Sequence, residues 1–285
     1  MIEPVSRDED VPGRTRADPP SDPTAANRGV GDRASAEFRA ALAMLTRLPV
    51  SPRSGERTGA AAYAIVGGLV GFLGLVPLVT LGTAVPPVAA ILAIAAIAVA
   101  SGAVHLDGLA DTADALVALG PDGAERARQD PAIGVGGAVA LVLVLGLETV
   151  SLTVLAFDAS PLVAGVTCVV AGGVSRAVPV VLVRLVRQRA RRGGLGGWFA
   201  ARTTNPAAIA ATGTAMTLFL AGTFVLGAPT VAVAGSIGGI GGVAIGIWLA
   251  RTRGQLDGDL LGASVELSFV LTVSAAATLA GGVGG

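Results

Sequence analysis

The sequence predicts an all-α membrane protein: a polytopic bundle of about seven transmembrane helices with its N-terminus on the cytoplasmic side. Three observations carry that expectation. Of 285 residues 52% are hydrophobic and only 14% charged, and the mean hydropathy is +0.72, outside the range of ordinary soluble domains. Apolar runs long enough to cross ~30 Å of hydrocarbon follow one another. Arginine, the sole basic residue type apart from one histidine, collects in alternate loops, as the positive-inside rule requires of cytoplasmic segments.

The elements follow in order. Residues 1–33 are rich in Pro, Asp, Arg, Ser and Gly and poor in large apolar side chains, so they read as a disordered tail. They lack the basic-then-apolar layout of a signal peptide. The integral membrane domain is expected over 34–285. It opens with Phe38, Leu42, Leu45 and Leu48 at three- and four-residue spacing among Arg39 and Arg47, which fits an amphipathic helix at the interface. Spans are expected near 61–82, 86–104, 134–157, 159–183, 206–227, 229–250 and 263–283. Gly67 with Gly71, and Gly235, Gly239, Gly242 and Gly246, have the small-xxx-small spacing of helix contacts. The single Cys168 lies in an apolar run, which excludes a disulfide framework within the chain and reads as packing.

Arg53, Arg57, Arg126 and Arg128, the Arg187–Arg202 cluster, and Arg251 with Arg253 all fall on one side of this arrangement. The other side has tight turns near Ala84, Asp158 and Ala228 without arginine. The arginine side is therefore the cytoplasmic one.

On that side lies the stretch with the most chemistry, His105-Leu-Asp-Gly-Leu-Ala-Asp-Thr-Ala-Asp114. On a helix, Asp107, Asp111 and Asp114 project within an arc of roughly 60°. Like charges that close raise one another's pKa unless a cation is present. Hard oxygen donors suit Mg²⁺ or Mn²⁺, whose shell a substrate phosphate often completes, and this directs the expectation to phosphoryl or phosphodiester transfer. The plainer alternative is an acidic face on a solvated helix, but no Lys or Arg partners stand at four-residue spacing. His105 would lie about 160° from the stripe on a continuous helix; it is either a general base or a capping and hydrogen-bonding group.

A second acidic group, Asp257, Asp259 and Glu266, lies between the sixth and seventh spans on the same side. Together the two groups could bind one or two metal ions, although Asp257 also suits an N-cap. Three further features could meet an anionic substrate: Arg128-Gln-Asp130-Pro with Gly134 beyond it, Ser175-Arg176 inside the fourth span with Glu148 as a plausible structural partner, and the Arg184–Arg202 loop.

The His105–Asp114 motif, together with Met44-Leu-Thr-Arg47-Leu-Pro-Val50, Asp130 followed by Gly134, Ser175-Arg176 and Gly258-Asp-Leu-Leu-Gly-Ala-Ser-Val-Glu-Leu267, resembles the cobalamin synthase family, the adenosylcobinamide-GDP ribazoletransferases. The resemblance runs from about residue 37 to the end. It departs at Asp257, where the family usually has threonine. It implies a Mg²⁺-dependent enzyme of the cell membrane that joins α-ribazole, or its 5′-phosphate, to adenosylcobinamide-GDP with release of GMP. It further implies metal on Asp107, Asp111, Asp114, Asp257 and Asp259, catalysis by the first motif with His105, and substrate contacts at Arg47, Asp130, Gly134, Ser175, Arg176 and Glu266. Membrane lipid is an expected partner and nucleic acid is not; self-association is left open. The alternative is a membrane CDP-alcohol phosphotransferase, whose pattern spreads its acids wider and includes an Ala-Arg that has no counterpart here. A transporter would need its acids at mid-bilayer depth.

Overall fold

The computed structural model describes residues 23–51, 58–129, 132–191 and 193–281. Among them there are eleven α-helices and no strand. Six helices are long and apolar enough to cross a membrane: α2 (Tyr63–Leu81, entered by a turn at Ala60–Ala62), α6 (Val135–Val154, extended by a π-turn to Ala159), α7 (Pro161–Leu185), α9 (Asn205–Leu226), α10 (Pro229–Thr252) and α11 (Gly258–Gly281). A seventh crossing is available at α3 (Pro86–Ser101), which runs into α4 (Val104–Val117) through a bend of 92°. The chain is therefore a multi-pass helical membrane protein of the class predicted. The remaining helices are α1 (Pro23–Leu45), α5 (Gly120–Gln129) and α8 (Gly194–Arg202). Helix α1 begins at Pro23, inside the stretch whose composition reads as tail. Past that proline there is no further proline before Pro49, and the alanines and arginines favour the helix against Gly29 and Gly31.

Local chemistry starts and stops these helices. Prolines occupy the first turn of α3, α7, α9 and α10, where a missing N–H costs nothing. Ser160 and Thr204 cap α7 and α9 by accepting from the Val163 and Ala207 N–H groups at 3.1 and 3.3 Å. Pro77 and Pro179 lie inside α2 and α7, which run through them, as helices supported by neighbours can.

Helices α7 and α11 form the centre of the bundle: 83% and 72% of their apolar windows are buried, against 17% for α9 and 22% for α6. Between apolar helices in a membrane, close backbone approach supplies the attraction. Gly67 and Gly71 of α2 meet the Gly172 and Cys168 carbonyls of α7 with no room for a Cβ. Gly238 and Gly242 of α10 lie against Thr272 and Ser268 of α11, and Ser268 Oγ donates to the Gly238 carbonyl at 2.9 Å. The small-residue spacing in the two spans thus marks contact surfaces. In α10 the residues pressed most closely are Gly238, Gly242 and Gly246.

The α3–α4 corner positions the site. Gly102 and Ala103 are consecutive left-handed residues with φ of 64° and 57°, and Ala103 is the sole non-glycine residue with positive φ among those described. Their N–H groups close onto the Val99 and Ala98 carbonyls, ending α3 and turning the chain. Arg47 leans on Gly102 from outside, where a Cβ would strike its side chain, and its backbone N–H donates to the Ala100 carbonyl at 2.9 Å. Helix α4 therefore lies across one end of the bundle.

Candidate active site

Several short contacts gather the loops at that end. Helix α4 meets the first turns of α11 where glycine permits it: a Cβ on Gly108 would come within 2.7 Å of the Asp259 carbonyl oxygen, and Gly262 faces the backbone of His105. The Arg187–Arg191 loop pairs with the α10–α11 loop, the Arg191 N–H donating to the Leu256 carbonyl at 2.9 Å and the Leu256 N–H to that of Arg189 at 2.8 Å. Arg253 spans the gap. Its guanidinium donates to Thr112 Oγ1 of α4 at 3.2 Å and pairs with Asp257 at 3.3 Å, almost fully buried. Sequence reading assigned Arg253 only to topology; its place four residues before Asp257 is the signal for the bridge.

The acidic residues divide into two kinds. Asp114 is buried, and its two oxygens accept from the Gly134 N–H at 2.8 Å and the Gly137 N–H at 2.9 Å. It caps α6, a carboxylate at a positive helix end. Glycines stand at 134 and 137 because a side chain there would strike that carboxyl. Asp257 caps α11 through the Leu260 N–H at 3.0 Å while holding Arg253. The metal roles expected for these two residues therefore compete with capping roles already filled.

Asp107, Asp111 and Asp259 face the open end, with Asp107 exposed and the other two partly so. Asp111, on a helix outside the six long spans, has its pKa pushed up from 3.8 to about 6. Burial is the largest cause, followed by the Asp107, Asp259 and Asp114 charges, and Arg253 acts in the opposite direction. Acids gathered this closely favour a cation beside them. Among the described residues no three acids or other ligands stand close enough to enclose an ion by themselves. The donor set nevertheless suits Mg²⁺, which is commonly held by one or two carboxylates with substrate phosphates and water completing the shell.

His105 does not join this group. Because α4 begins at Val104, His105 sits in its first turn and on its buried face, 6% exposed and with Nδ1 unpartnered. Burial first, and the Arg176 charge second, hold its pKa well below the ordinary value, so the ring is neutral.

The other expected substrate residues lie elsewhere. Ser175, Arg176 and Glu266 are inside the bundle. Arg176 donates to Ser175 Oγ at 3.0 Å and shares a small cavity beneath α4 with Glu148 and Glu266. Sequence pairing of Arg176 with Glu148 thus named one of its two acidic neighbours. Gly134 touches Asp114, Arg47 braces the α3–α4 corner, and Asp130 lies outside the described residues.

A bundle of membrane-crossing helices with carboxylates and arginines drawn together at one end defines a polytopic membrane protein with a charged site on one face. The family model for cobalamin-5-phosphate synthase matches residues 37–277, and the chain belongs to that family. Membership assigns it to the late step of cobalamin biosynthesis at which ribazole is joined to adenosylcobinamide-GDP. Three similar proteins bear the name adenosylcobinamide-GDP ribazoletransferase. The one from Citrobacter koseri is 33% identical over 169 residues, 59% of this chain and 66% of the relative. Those from Sinorhizobium medicae and Rhizobium meliloti are 33% and 34% identical over 180 and 181 residues, in each case 62% of this chain and 68% of the relative. The matches thus span about two thirds of the relatives' lengths. No solved structure matches the chain.

Proposed function

We propose that the chain performs this transfer as a Mg²⁺-dependent enzyme of the plasma membrane with the α4 end facing the cytoplasm. Its substrates would be adenosylcobinamide-GDP and α-ribazole or its 5′-phosphate. The observation that carries the reading is the meeting of α4 and α11 at Gly108 and Asp259, which brings carboxylates more than 140 residues apart in sequence to one face. One or two of the carboxylates of Asp107, Asp111 and Asp259 would hold the ion together with substrate phosphate and water, and the bound ion would neutralise charge on the diphosphate oxygens. The ribazole hydroxyl attacks the phosphorus attached to the cobinamide side chain, its proton passes to a carboxylate of the cluster, and GMP leaves. Arg253 keeps α4 and the α10–α11 loop in register. The paired Arg187–Arg191 loop supplies positive charge beside them for the nucleotide phosphates. The arginines at this end support a cytoplasmic orientation, and exposed Phe72, Val142, Phe224 and Ile240 supply the lipid-facing surface.

The test is turnover by purified protein in detergent or lipid, with and without Mg²⁺, following GMP and the corrinoid product together. Equal yields of both, appearing only with the metal, are expected. Turnover that survives complete chelation would exclude the metal role, and a preparation that instead consumes a CDP-alcohol would exclude the reaction.

A further inference from the structure

A cleft opens at the same end of the bundle, on the side of α4 opposite Asp107 and Asp111. Its walls are Leu45 at the end of α1, Tyr63 at the start of α2, Pro179 of α7, Phe199 of α8, and Leu261 and Val265 of α11. Tyr63 and Phe199 stack with ring centroids 5.2 Å apart and planes 22° from parallel. The lining is apolar, and its one ionisable heterocycle is His105, whose Nδ1 finds no partner in the protein. A buried polar nitrogen without a partner calls for an explanation, and a neutral imidazole offers one donor and one acceptor.

We propose that this cleft receives the flat aromatic base of the ribazole acceptor, with His105 as its hydrogen-bonding group; the proposal rests on the transfer reaction proposed above. Four observations point the same way. The walls present aromatic rings and branched aliphatic side chains, the surface that a planar heterocycle prefers. A benzimidazole-type base carries a single ring nitrogen able to accept a hydrogen bond once the other is attached to ribose, which suits a lining whose polar side chains are His105 and the Tyr63 hydroxyl, with the His105 Nδ1 left unpartnered. The cleft shares Gly258 and the first turns of α11 with Asp259, so a ribose on a base seated here starts out near Asp259. Finally, Gly193 and Gly194 lead into α8 with φ of 85° and 70°. The outer wall is therefore a nine-residue helix entered through two glycines, and seating the base in a cleft of about 80 Å³ requires that this helix move outward. His105 is then a positioning residue for the acceptor and takes no proton in the reaction.

The experiment measures KM for α-ribazole and for adenosylcobinamide-GDP separately. Leu195 lines the cleft from α8 and is 55% exposed, so Leu195→Trp narrows the cleft without disturbing the core. It is expected to raise KM for α-ribazole by about tenfold, a cost near 1.4 kcal/mol, and to leave the other KM unchanged. His105→Ala should raise the same KM by roughly fivefold, as loss of one hydrogen bond would, without moving the pH profile of kcat. His105→Gln should recover part of that loss. Free benzimidazole should compete with α-ribazole alone. Equal KM shifts for both substrates, or unchanged values with Leu195→Trp, would overturn the assignment. If the wild-type protein shows no transfer, the reaction proposed above fails, and the cleft is then judged by calorimetric binding of benzimidazole. Binding that Leu195→Trp abolishes supports the cleft, and absence of binding to the wild type overturns it.

Discussion

Asp111 is a carboxylate whose surroundings in the folded chain work against its charge. Its pKa stands above the ordinary value in the folded chain, so the folded state favours the protonated form. That contribution to stability is fully present below about pH 4 and is lost as pH rises through about 6. Without metal, Asp111→Asn is therefore expected to unfold at a higher temperature than wild type at pH 7, with the advantage gone near pH 4, while turnover falls by two or more orders of magnitude, roughly the scale of losing a charge-stabilising group. Thermal unfolding across pH, run beside the turnover assay, checks both halves; a variant less stable than wild type at pH 7 would contradict the repulsion. At this scale the sequence was legible in type and less so in assignment. Spacing alone put Asp107, Asp111 and Asp114 on one stripe, but whether a carboxylate meets metal or backbone depends on what packs opposite. Gly134 and Gly137 claim Asp114, and Leu260 with Arg253 claims Asp257. These are long-range or loop contacts that helical periodicity does not encode.

Among the elements, the α3–α4 corner is the part that apolar runs could not reveal. Hydropathy placed a span at 86–104 and let the acids follow it, whereas the chain turns by 92° on two left-handed residues. Gly102 is a readable signal for that turn and Ala103 is not, because alanine at positive φ costs about 1 kcal/mol and is held there by its surroundings. Ala103→Gly is expected to be neutral or to stabilise by up to about 1 kcal/mol. Ala103→Val should destabilise by about 1 kcal/mol or more, since branching worsens the left-handed clash. Unfolding of the two variants in the same detergent checks the order, and a Val variant as stable as the Gly variant would be inconsistent with the corner. The spans themselves were legible within a few residues because each one is a continuous apolar run closed by Pro, Gly or charge. The exception is α11, which begins at Gly258, five residues ahead of the expected 263, because the Asp257 cap lets helix form under an acidic turn.

For the molecule as a whole, one end carries α4, α5, α8 and the arginine loops, while the opposite end is made of tight turns. If the arginine end faces the cytoplasm, cysteines introduced on a Cys168→Ala background at Leu119 or Leu195, both exposed, should resist a membrane-impermeant thiol reagent in intact cells and react once the cells are opened. One at exposed Phe157, beside the Asp158 turn, should react in intact cells. The opposite pattern would invert the topology. The interior also bears on how the chain is made. Glu148 and Arg176 belong to α6 and α7, consecutive spans joined by a tight turn, so a nascent helical hairpin carries the acid and the base into the bilayer together, each of which alone would cost about 3 kcal/mol to insert as an ion. Glu266 arrives last, on α11, and finds Arg176 already in place. The order of synthesis thus brings the acids to Arg176 one after the other: chains released by the ribosome before Gly258 should already have α6 and α7 inserted, and the final helix docks its Glu266 beside an arginine that is already in the membrane.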